Sequence, residues 1–388
     1  MKYGAILFQL VLLLCLFQGC REENDFVPAA TIHSISDYRQ KVDADFEFVI
    51  SIPHASTSDA LIDYATSDGT AIAGVDYTSV SGTATIPAGS VSTNIKVKVK
   101  GDSLRMNSQN FYLHLSNPKN CTIVIERVAA VIINDGLYFP VDNTGYTTPD
   151  SYPDYTLAWS DEFNAKSIDE NSWTFEQGNN GWGTHELGYY TNRTQNAFMS
   201  LGNLIIEARK EEYFGAEFTS ARITTKGKKS FKYGRIDIRA KISTPNGAMS
   251  SLRMMGSNID TIGWPNCGEI DIMQLPHIEY YAYNTLHWSD SLTAAPRQFG
   301  VNNWFGGIGG DSKFYVFTAV WNADHIEMYI DDNLTFEMNT HGRSLPFNND
   351  FFFIFNVSVG GDWPGTPPPT AQFPQRMVVD YVRVFQKN

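Results

Sequence analysis

The sequence predicts an all-β protein built from two units. Residues 94–100 and 235–242 alternate apolar and charged side chains, the period of two that a half-buried strand requires. Helical periodicity is nearly absent from the chain, and no internal repeat joins its two halves. The length of 388 residues also favours two or three domains over one.

The first twenty residues have the features of an export signal. Met1 and Lys2 precede an apolar run at 5–17, which is too short to span a bilayer. The run ends before Cys20 in a sequence that resembles a bacterial lipobox, in which that cysteine becomes the lipidated first residue. We therefore expect a signal peptide at 1–19 and an acidic tether at 20–29. The resemblance implies an exported outer-membrane or cell-surface lipoprotein that meets the membrane only through its lipid. The alternative is a simple secreted protein.

The composition argues against a nucleic acid as partner and is compatible with an aromatic-lined binding surface. The chain has 29 Lys and Arg against 42 Asp and Glu, a formal charge of −13. Such a balance argues against binding to phosphate backbones, which rests on basic side chains. Aromatic residues make up 13% of the chain, and aromatic surfaces bind the flat apolar faces of sugar rings. The four cysteines are too scattered for a disulfide framework.

A small β-sandwich is expected at residues 30–137. Its strand candidates share short alternating patterns between turn-rich segments, and they are 46–52, 82–86, 94–100 and 111–115. The segments 67–77 and 111–118 resemble Calx-β domains. Calcium-binding members carry acidic residues just before the second segment, where this chain has Asn, Ser, Gln and Asn at 107–110. Without those hard ligands, we expect no tight calcium site in this unit.

A linker and a larger β unit follow. Residues 138–154 contain Pro140, Pro149 and Pro153, which is typical of a linker. The larger unit is expected to occupy 155–388. Its segment 351–355 is continuously apolar, as in a strand that is covered on both faces.

The most informative motif is Glu-Ile-Asp-Ile-Met-Gln at residues 269–274. Side chains alternate between the faces of a strand, so Glu269 and Asp271 share one face and the isoleucines the other. Gln274 would face the wrong side of a regular strand, but one bulged residue would return it to the face of the two acids. From the pattern alone, either an active site or an exposed surface strand remains possible.

The motif differs by one residue from the E-x-D-x-x-E signature of laminarinase-type family-16 glycoside hydrolases, which the second unit resembles. Further segments match that family in order along the chain: 159–164, 203–209, 225–228, 285–288, 360–365 and 379–384. The resemblance implies a β-jelly-roll with a concave substrate cleft, suited to internal cuts in a polysaccharide.

The same resemblance implies roles for the motif. Glu269 corresponds to the nucleophile and Asp271 to the neighbour that orients and tunes it. Gln274 stands where the acid/base glutamate belongs, and an amide can hydrogen-bond the glycosidic oxygen but cannot give up a proton. We therefore expect weak turnover. His277 or Glu279 could supply a proton instead, although the spacing does not place either beside the scissile oxygen.

Further positions on the cleft are implied by the resemblance. Met249 and Arg253 occupy the two tryptophan positions of the family's W-P-A-x-W pattern. Arg253 could pair with an acidic or sulfated group, or stabilise the cleft itself. The other expected substrate-binding residues are those that match the family, namely Asn180, Trp182, Arg222, His287 and Trp363.

Two functions remain open at this stage. One is a retaining endo-β-glycanase that acts on a β-1,3- or mixed-linkage β-glucan or on a β-galactan. The other is a surface glycan-binding lipoprotein on the same fold. The resemblance implies no required cofactor, but it implies a possible structural Ca²⁺ to which Asp380 would contribute a carboxylate.

Overall fold

A computed structural model describes residues 27–103, 108–134, 136, 138–242, 247–276, 281–290, 295–304, 313–342 and 344–388. The expected signal peptide with Cys20, most of the acidic tether, and His277 and Glu279 lie outside these residues. The regular secondary structure of the described residues is almost entirely β-strand, which confirms the predicted all-β class. None of their helices is long and apolar enough to span a membrane.

Among the described residues, the smaller unit comprises those at 27–35, 45–98 and 110–130, and the larger unit comprises those at 36–44, 99–109 and 131–388. The N-terminal strands are β1 Ala29–Ala30, β2 Ile35–Tyr38, β3 Ala44–Ser51, β4 Ala60–Asp68, β5 Ser81–Ile86, β6 Ser92–Val99, β7 Gln109–Lys119, β8 Thr122–Ile123 and β9 Arg127–Ile133. In the described residues they form a sheet in the order β2-β9-β7-β4-β5 and the pairs β3-β6 and β1-β8.

The alternation in β3 and β6 sorts their side chains by polarity. Phe46, Phe48 and Ile50 are buried, as are Val97 and its apolar neighbours on β6. The charged residues between them face water, where Lys98 and Asp45 lie 3.5 Å apart. The predicted strands at 46–52, 82–86, 94–100 and 111–115 are therefore present.

The jelly-roll strands are β10 Tyr155–Asp161, β11 Thr174–Glu176, β12 Gly188–Tyr190, β13 Ala197–Ser200, β14 Asn203–Tyr213, β15 Ala216–Ser220, β16 Arg222–Thr224, β17 Gly234–Ile242, β18 Ala248–Gly256, β19 Glu269–Pro276, β20 Tyr281–Ser289, β21 Pro296–Trp304, β22 Tyr315–Trp321, β23 His325–Ile330, β24 Asn333–Asn339, β25 Phe351–Val359 and β26 Gln375–Lys387. A short helix, α1, spans Ile259–Ile262.

Two sheets of these strands enclose one core. Over the described residues the outer sheet runs β12-β15-β14-β26-β17-β22-β23-β24, with β10 on β26 and β13 on β14, and the inner sheet runs β11-β16-β25-β18-β19-β20-β21. Side chains from both sheets, such as Ile238 and Val382 on the outer and Phe353 and Leu252 on the inner, are fully buried between them. Burial of each such side chain contributes about 1.5–3 kcal/mol.

The segment at 138–154, predicted as a linker, is bonded to the larger unit. The backbone N–H of Phe139 donates to Ser200 Oγ at 2.9 Å, and that of Thr148 donates to the Tyr381 hydroxyl at 2.9 Å. Asp150 pairs with Arg383 at 2.9 Å. These bonds give part of this proline-containing segment a fixed path along the jelly-roll.

Candidate active site

Strand β19 carries the predicted motif between β18 and β20. Ile272 and Met273 are consecutive in sequence, yet both are buried in the core between the sheets. The pairing register of β19 shifts at this point against both neighbouring strands. From the sequence, one such bulged residue would return Gln274 to the face of Glu269, and both residues line the cleft.

The inner sheet forms the floor of a cleft of about 790 Å³. Glu269 and Gln274 lie in its lining, and Glu269 is 5% exposed. The walls come from the loop before β12, from β20 and β21, and from the segment after β25. Lining residues include Trp182, Thr184, Glu186, Met249, Arg253, Trp264, Tyr283, His287, Gln298, Asn302 and Trp363.

Both carboxylate oxygens of Glu269 accept hydrogen bonds. Arg253 Nη1 lies 3.2 Å from Oε1, and the Trp264 indole N–H donates to Oε2 at 2.7 Å. Burial acts to raise the pKa of Glu269, but the charges of Arg253 and His287 and the bond from Trp264 outweigh it and lower that pKa. Glu269 is therefore held as a carboxylate, the form that attacks carbon.

Asp271 lies beneath the cleft and is fully buried. Its Oδ2 lies 3.0 Å from His287 Nε2, while Oδ1 has no hydrogen-bond partner among the described residues. Burial and the charge of Glu269 raise the pKa of Asp271 to about 6, against the opposing effect of His287. The two acids of the motif thus titrate apart, with Glu269 the stronger acid.

Arg253 belongs to a hydrogen-bond network within the protein rather than to an open binding surface. Its Nη2 donates to Asn356 Oδ1 at 3.0 Å, and Asn356 Nδ2 donates to the Tyr190 hydroxyl at 2.9 Å. That hydroxyl donates to Glu186 Oε2 at 2.5 Å. Burial and the charge of Glu186 raise the pKa of Tyr190 well above its ordinary value, so the phenol remains a donor.

The other expected binding residues occupy different layers of the site. Met249, His287 and Trp363 line the cleft, and the Trp363 ring packs edge-on against Tyr283 at 4.6 Å between ring centroids. Trp182 also lines the cleft. The guanidinium carbon of Arg222 lies 5.0 Å from the centroid of the Trp182 ring, and Arg222 Nε lies 2.5 Å from Glu176 Oε2.

Asn180 has a supporting position. It is exposed, and its side-chain oxygen accepts the backbone N–H of Trp182 at 3.0 Å. Trp182 has a positive φ of 47°, which few non-glycine residues adopt. The Asn180 bond therefore stabilises the turn that presents the tryptophan to the cleft.

Sequence reasoning missed Trp264 and Glu186. Trp264 stands five residues before Glu269 and bonds to it, and Glu186 is a buried acid in the opposite wall of the cleft. An aromatic residue just before the motif was a signal for the first. Glu186 gave no periodic signal, since it lies in a loop between Trp182 and β12.

Asp380 is paired with a cation. Its Oδ2 lies 2.7 Å from Arg239 Nη1, and Arg239 also donates to Asn143 and to the Tyr146 carbonyl. In the described part of the chain, no group of three or more His, Cys, Asp or Glu residues could hold a metal. A guanidinium so close to the carboxylate does not fit a calcium ligand at that oxygen.

Comparison with known proteins agrees with this geometry. The model of glycosyl hydrolases family 16 matches residues 184–383, and that of the Calx-beta domain matches 40–137. The laminarinase catalytic domain of Thermotoga maritima MSB8, solved with cetyltrimethylammonium bromide, matches at 42% identity and a TM-score of 0.56 over 61% of this chain and 99% of that chain. These findings confirm both resemblances predicted from the sequence.

The curated relatives include both a glucan-cleaving enzyme and a glucan-binding protein. A beta-glucanase of Rhodothermus marinus is 36% identical over 264 residues, which are 62% of this chain and 89% of that protein. A beta-1,3-glucan-binding protein of Penaeus monodon is 28% identical over 175 residues, 37% of this chain and 47% of that protein. The chain covers 89% of the length of this beta-glucanase. It covers only 34% of the length of another relative that is also 36% identical.

Proposed function

Because the chain belongs to glycosyl hydrolase family 16, we propose that it is a retaining endo-β-glycanase with weak turnover, which binds a β-1,3- or mixed-linkage β-glucan in the cleft along β19. A related β-galactan is the alternative polymer. The site keeps the nucleophile of a retaining endo-β-glycanase and lacks its proton donor. The observation that carries the proposal is the bulge, since Gln274 and the ionised Glu269 both line one cleft as a result.

The chemistry follows from those two side chains. In a retaining hydrolase one carboxylate attacks the anomeric carbon while a second carboxyl group protonates the departing oxygen, and water later releases the sugar. Glu269 can form the bond to carbon. Gln274 can donate a hydrogen bond to the glycosidic oxygen, but it can neither protonate that oxygen nor deprotonate water. Loss of such acid/base help costs roughly 10²- to 10⁴-fold in rate.

The cleft also explains why binding would survive the loss of turnover. Trp182, Trp363 and Tyr283 offer aromatic faces, and Thr184, Gln298 and Asn302 offer polar groups for sugar hydroxyls. None of these depends on residue 274. Glycan capture without cutting is therefore the second candidate function, favoured by the amide at Gln274.

Product release from a panel of β-glucans and β-galactans tests the proposal. The unmodified chain and Gln274→Glu are compared side by side, with binding to each polymer measured by affinity electrophoresis. We expect both forms to bind the same polymer, and Gln274→Glu to cut it at least 100-fold faster with retention of anomeric configuration. Binding without cutting by either form would favour glycan capture. If neither form bound any polymer of the panel, both functions would be contradicted.

We also propose export and lipid attachment at Cys20. The support is the lipobox-like sequence before that residue, which lies outside the described part of the chain. Incorporation of labelled palmitate by the full chain, and its loss in Cys20→Ala, would support the anchor. Secretion of an unlabelled mature protein would favour the simple secreted alternative.

A further inference from the structure

Arg253 is held at both ends of its fork. One nitrogen contacts Glu269 on β19 and the other contacts Asn356 on β25, and the side chain is 13% exposed. Turning this guanidinium toward a ligand would leave the buried carboxylate of Glu269 without its cation, which is strongly unfavourable. Arg253 is thus committed to the protein in the ligand-free site.

The charges around Arg253 disfavour an acidic ligand at this point. The carboxylates of Glu269, Asp271 and Glu186 all act on its guanidinium and together raise its pKa against the effect of burial. An incoming sulfate or uronate would meet three acids, against which only Arg253 and His287 supply positive charge. Of the two roles that the sequence left open for Arg253, stabilisation of the cleft itself agrees better with these surroundings.

We propose that Arg253 is a positioning residue that orients the carboxylate of Glu269 through its contact with Oε1. The proposal rests on the proposed role of Glu269 as nucleophile. The bonds from Arg253 through Asn356 to Tyr190 tie the nucleophile to the opposite wall of the cleft. Glu269 is therefore fixed before substrate arrives.

Several other groups act on Glu269 and bear on any pH profile. His287 faces it from β20, the neutral donor Trp264 from the preceding loop, and Asp271 from its own strand. Glu186 lies across the cleft, and the Cys267 thiol lies just before β19. None of these groups is a permanently charged cation, whereas Arg253 is. Removal of Arg253 should therefore affect the ionisation of Glu269 most.

Covalent labelling tests this role without help from residue 274. The probe is a 2,4-dinitrophenyl 2-deoxy-2-fluoro-β-laminaribioside, with its β-galactosyl counterpart alongside. Glu269 attacks the anomeric carbon, the bond to the aryl oxygen breaks, and dinitrophenolate leaves with the electron pair and needs no proton. Labelling rates are measured by mass spectrometry of the intact full chain between pH 4 and 8.

Four forms are compared: the unmodified chain, Arg253→Met, Arg253→Lys and Arg297→Met. Arg297 is exposed on the edge strand β21 and pairs with Asp290, away from Glu269, so its variant controls for loss of an arginine from the same sheet. We expect Arg253→Met to move the acid limb of labelling to higher pH and to slow labelling at pH 5 by about tenfold or more. Arg253→Lys should recover part of the loss, and Arg297→Met should match the unmodified chain.

The outcomes separate the two proposals. If Arg253→Met folds, as judged by its Tm, and labels with the unshifted pH profile and rate, Arg253 is not a positioning residue and the role of Glu269 stands. If Arg253→Met does not fold, the neutral variant Arg253→Tyr takes its place, and an unshifted profile and rate in that variant would overturn the inference in the same way. If the unmodified chain is labelled by neither probe, the nucleophile itself is wrong and both proposals fail.

Discussion

Buried acids on the two sheets of the jelly-roll have opposite surroundings. On the outer sheet, Glu207 is fully buried and both its oxygens are paired, with Arg209 at 2.6 Å and Arg376 at 2.7 Å. On the inner sheet, Asp271 is equally buried, but one oxygen has no partner among the described residues and its pKa is raised to about 6.

The difference separates acids that stabilise the fold from acids that serve a site. Outer-sheet acids such as Asp237, bonded to Thr318 at 2.8 Å and Tyr152 at 2.7 Å, are satisfied within the protein. On the inner sheet, Asp271 remains incompletely compensated next to a cleft, as is common where stability is lost to function. Substitutions on the two sheets should therefore affect different measurements.

The largest expected effect is on the inner sheet. In the Gln274→Glu background, Glu269→Gln should remove the restored hydrolysis, a loss of roughly 10²- to 10⁴-fold, because an amide cannot attack the anomeric carbon. Reducing-end release from the bound polymer measures it. The Tm should change little by comparison. Retained hydrolysis would show that another group is the nucleophile.

Glu207→Gln should have the converse effect on the outer sheet. Removing the charge leaves Arg209 and Arg376 without their shared buried partner, at a cost of about 3–5 kcal/mol in the free energy of unfolding. Urea unfolding measures it, with Glu337→Gln on the exposed face of β24 as a matched control expected within about 0.5 kcal/mol. Polymer cutting by Gln274→Glu should be unchanged by Glu207→Gln below the unfolding temperature. A loss of cutting without a loss of stability would break the distinction between the sheets.

Asp271→Asn should stabilise the protein in a pH-dependent way. A carboxyl whose folded pKa is raised from 3.8 to about 6 contributes stability below pH 4 that is lost as the pH rises through 6. The asparagine removes this loss, so we expect a higher Tm than the unmodified chain at pH 8 and no gain at pH 4. The gain in the free energy of unfolding at pH 8 is at most about 3 kcal/mol. Loss of the contact between His287 and the carboxylate makes the gain smaller. An equal shift at both pH values would contradict the raised pKa.

Trp264→Phe should have the smallest effect of these four. It keeps an aromatic ring and removes the N–H that donates to Glu269, one of the contributions that lower the pKa of this acid. In the Gln274→Glu background, the acid limb of kcat/KM should move to higher pH, by less than in Arg253→Met, because a neutral donor exerts a weaker field than a cation. Trp304→Phe, at an exposed ring outside the cleft lining, should leave the limb in place.

The sequence predicted the fold class, the shared face of Glu269 and Asp271, and the bulge that Gln274 required. These follow from side-chain alternation, which is local in sequence. It did not predict that Arg253 contacts Asn356, which is 103 positions away, or that Glu186 closes the opposite wall. Such contacts depend on the order and register in which distant strands pair, and a single sequence does not encode these in any local pattern.

The central claim is that this site can attack the anomeric carbon but cannot protonate the departing oxygen. Its strongest test is the dependence of the reaction on the leaving group. Release of dinitrophenolate from an unfluorinated dinitrophenyl β-glycoside of the bound polymer type is followed in stopped flow for the unmodified chain and Gln274→Glu. We predict a burst of about one equivalent followed by near arrest in the unmodified chain, and continuous turnover in Gln274→Glu. Continuous release of dinitrophenolate by the unmodified chain at the rate of Gln274→Glu, with no arrest after the first equivalent, would contradict the claim, because residue 274 would then not limit the reaction.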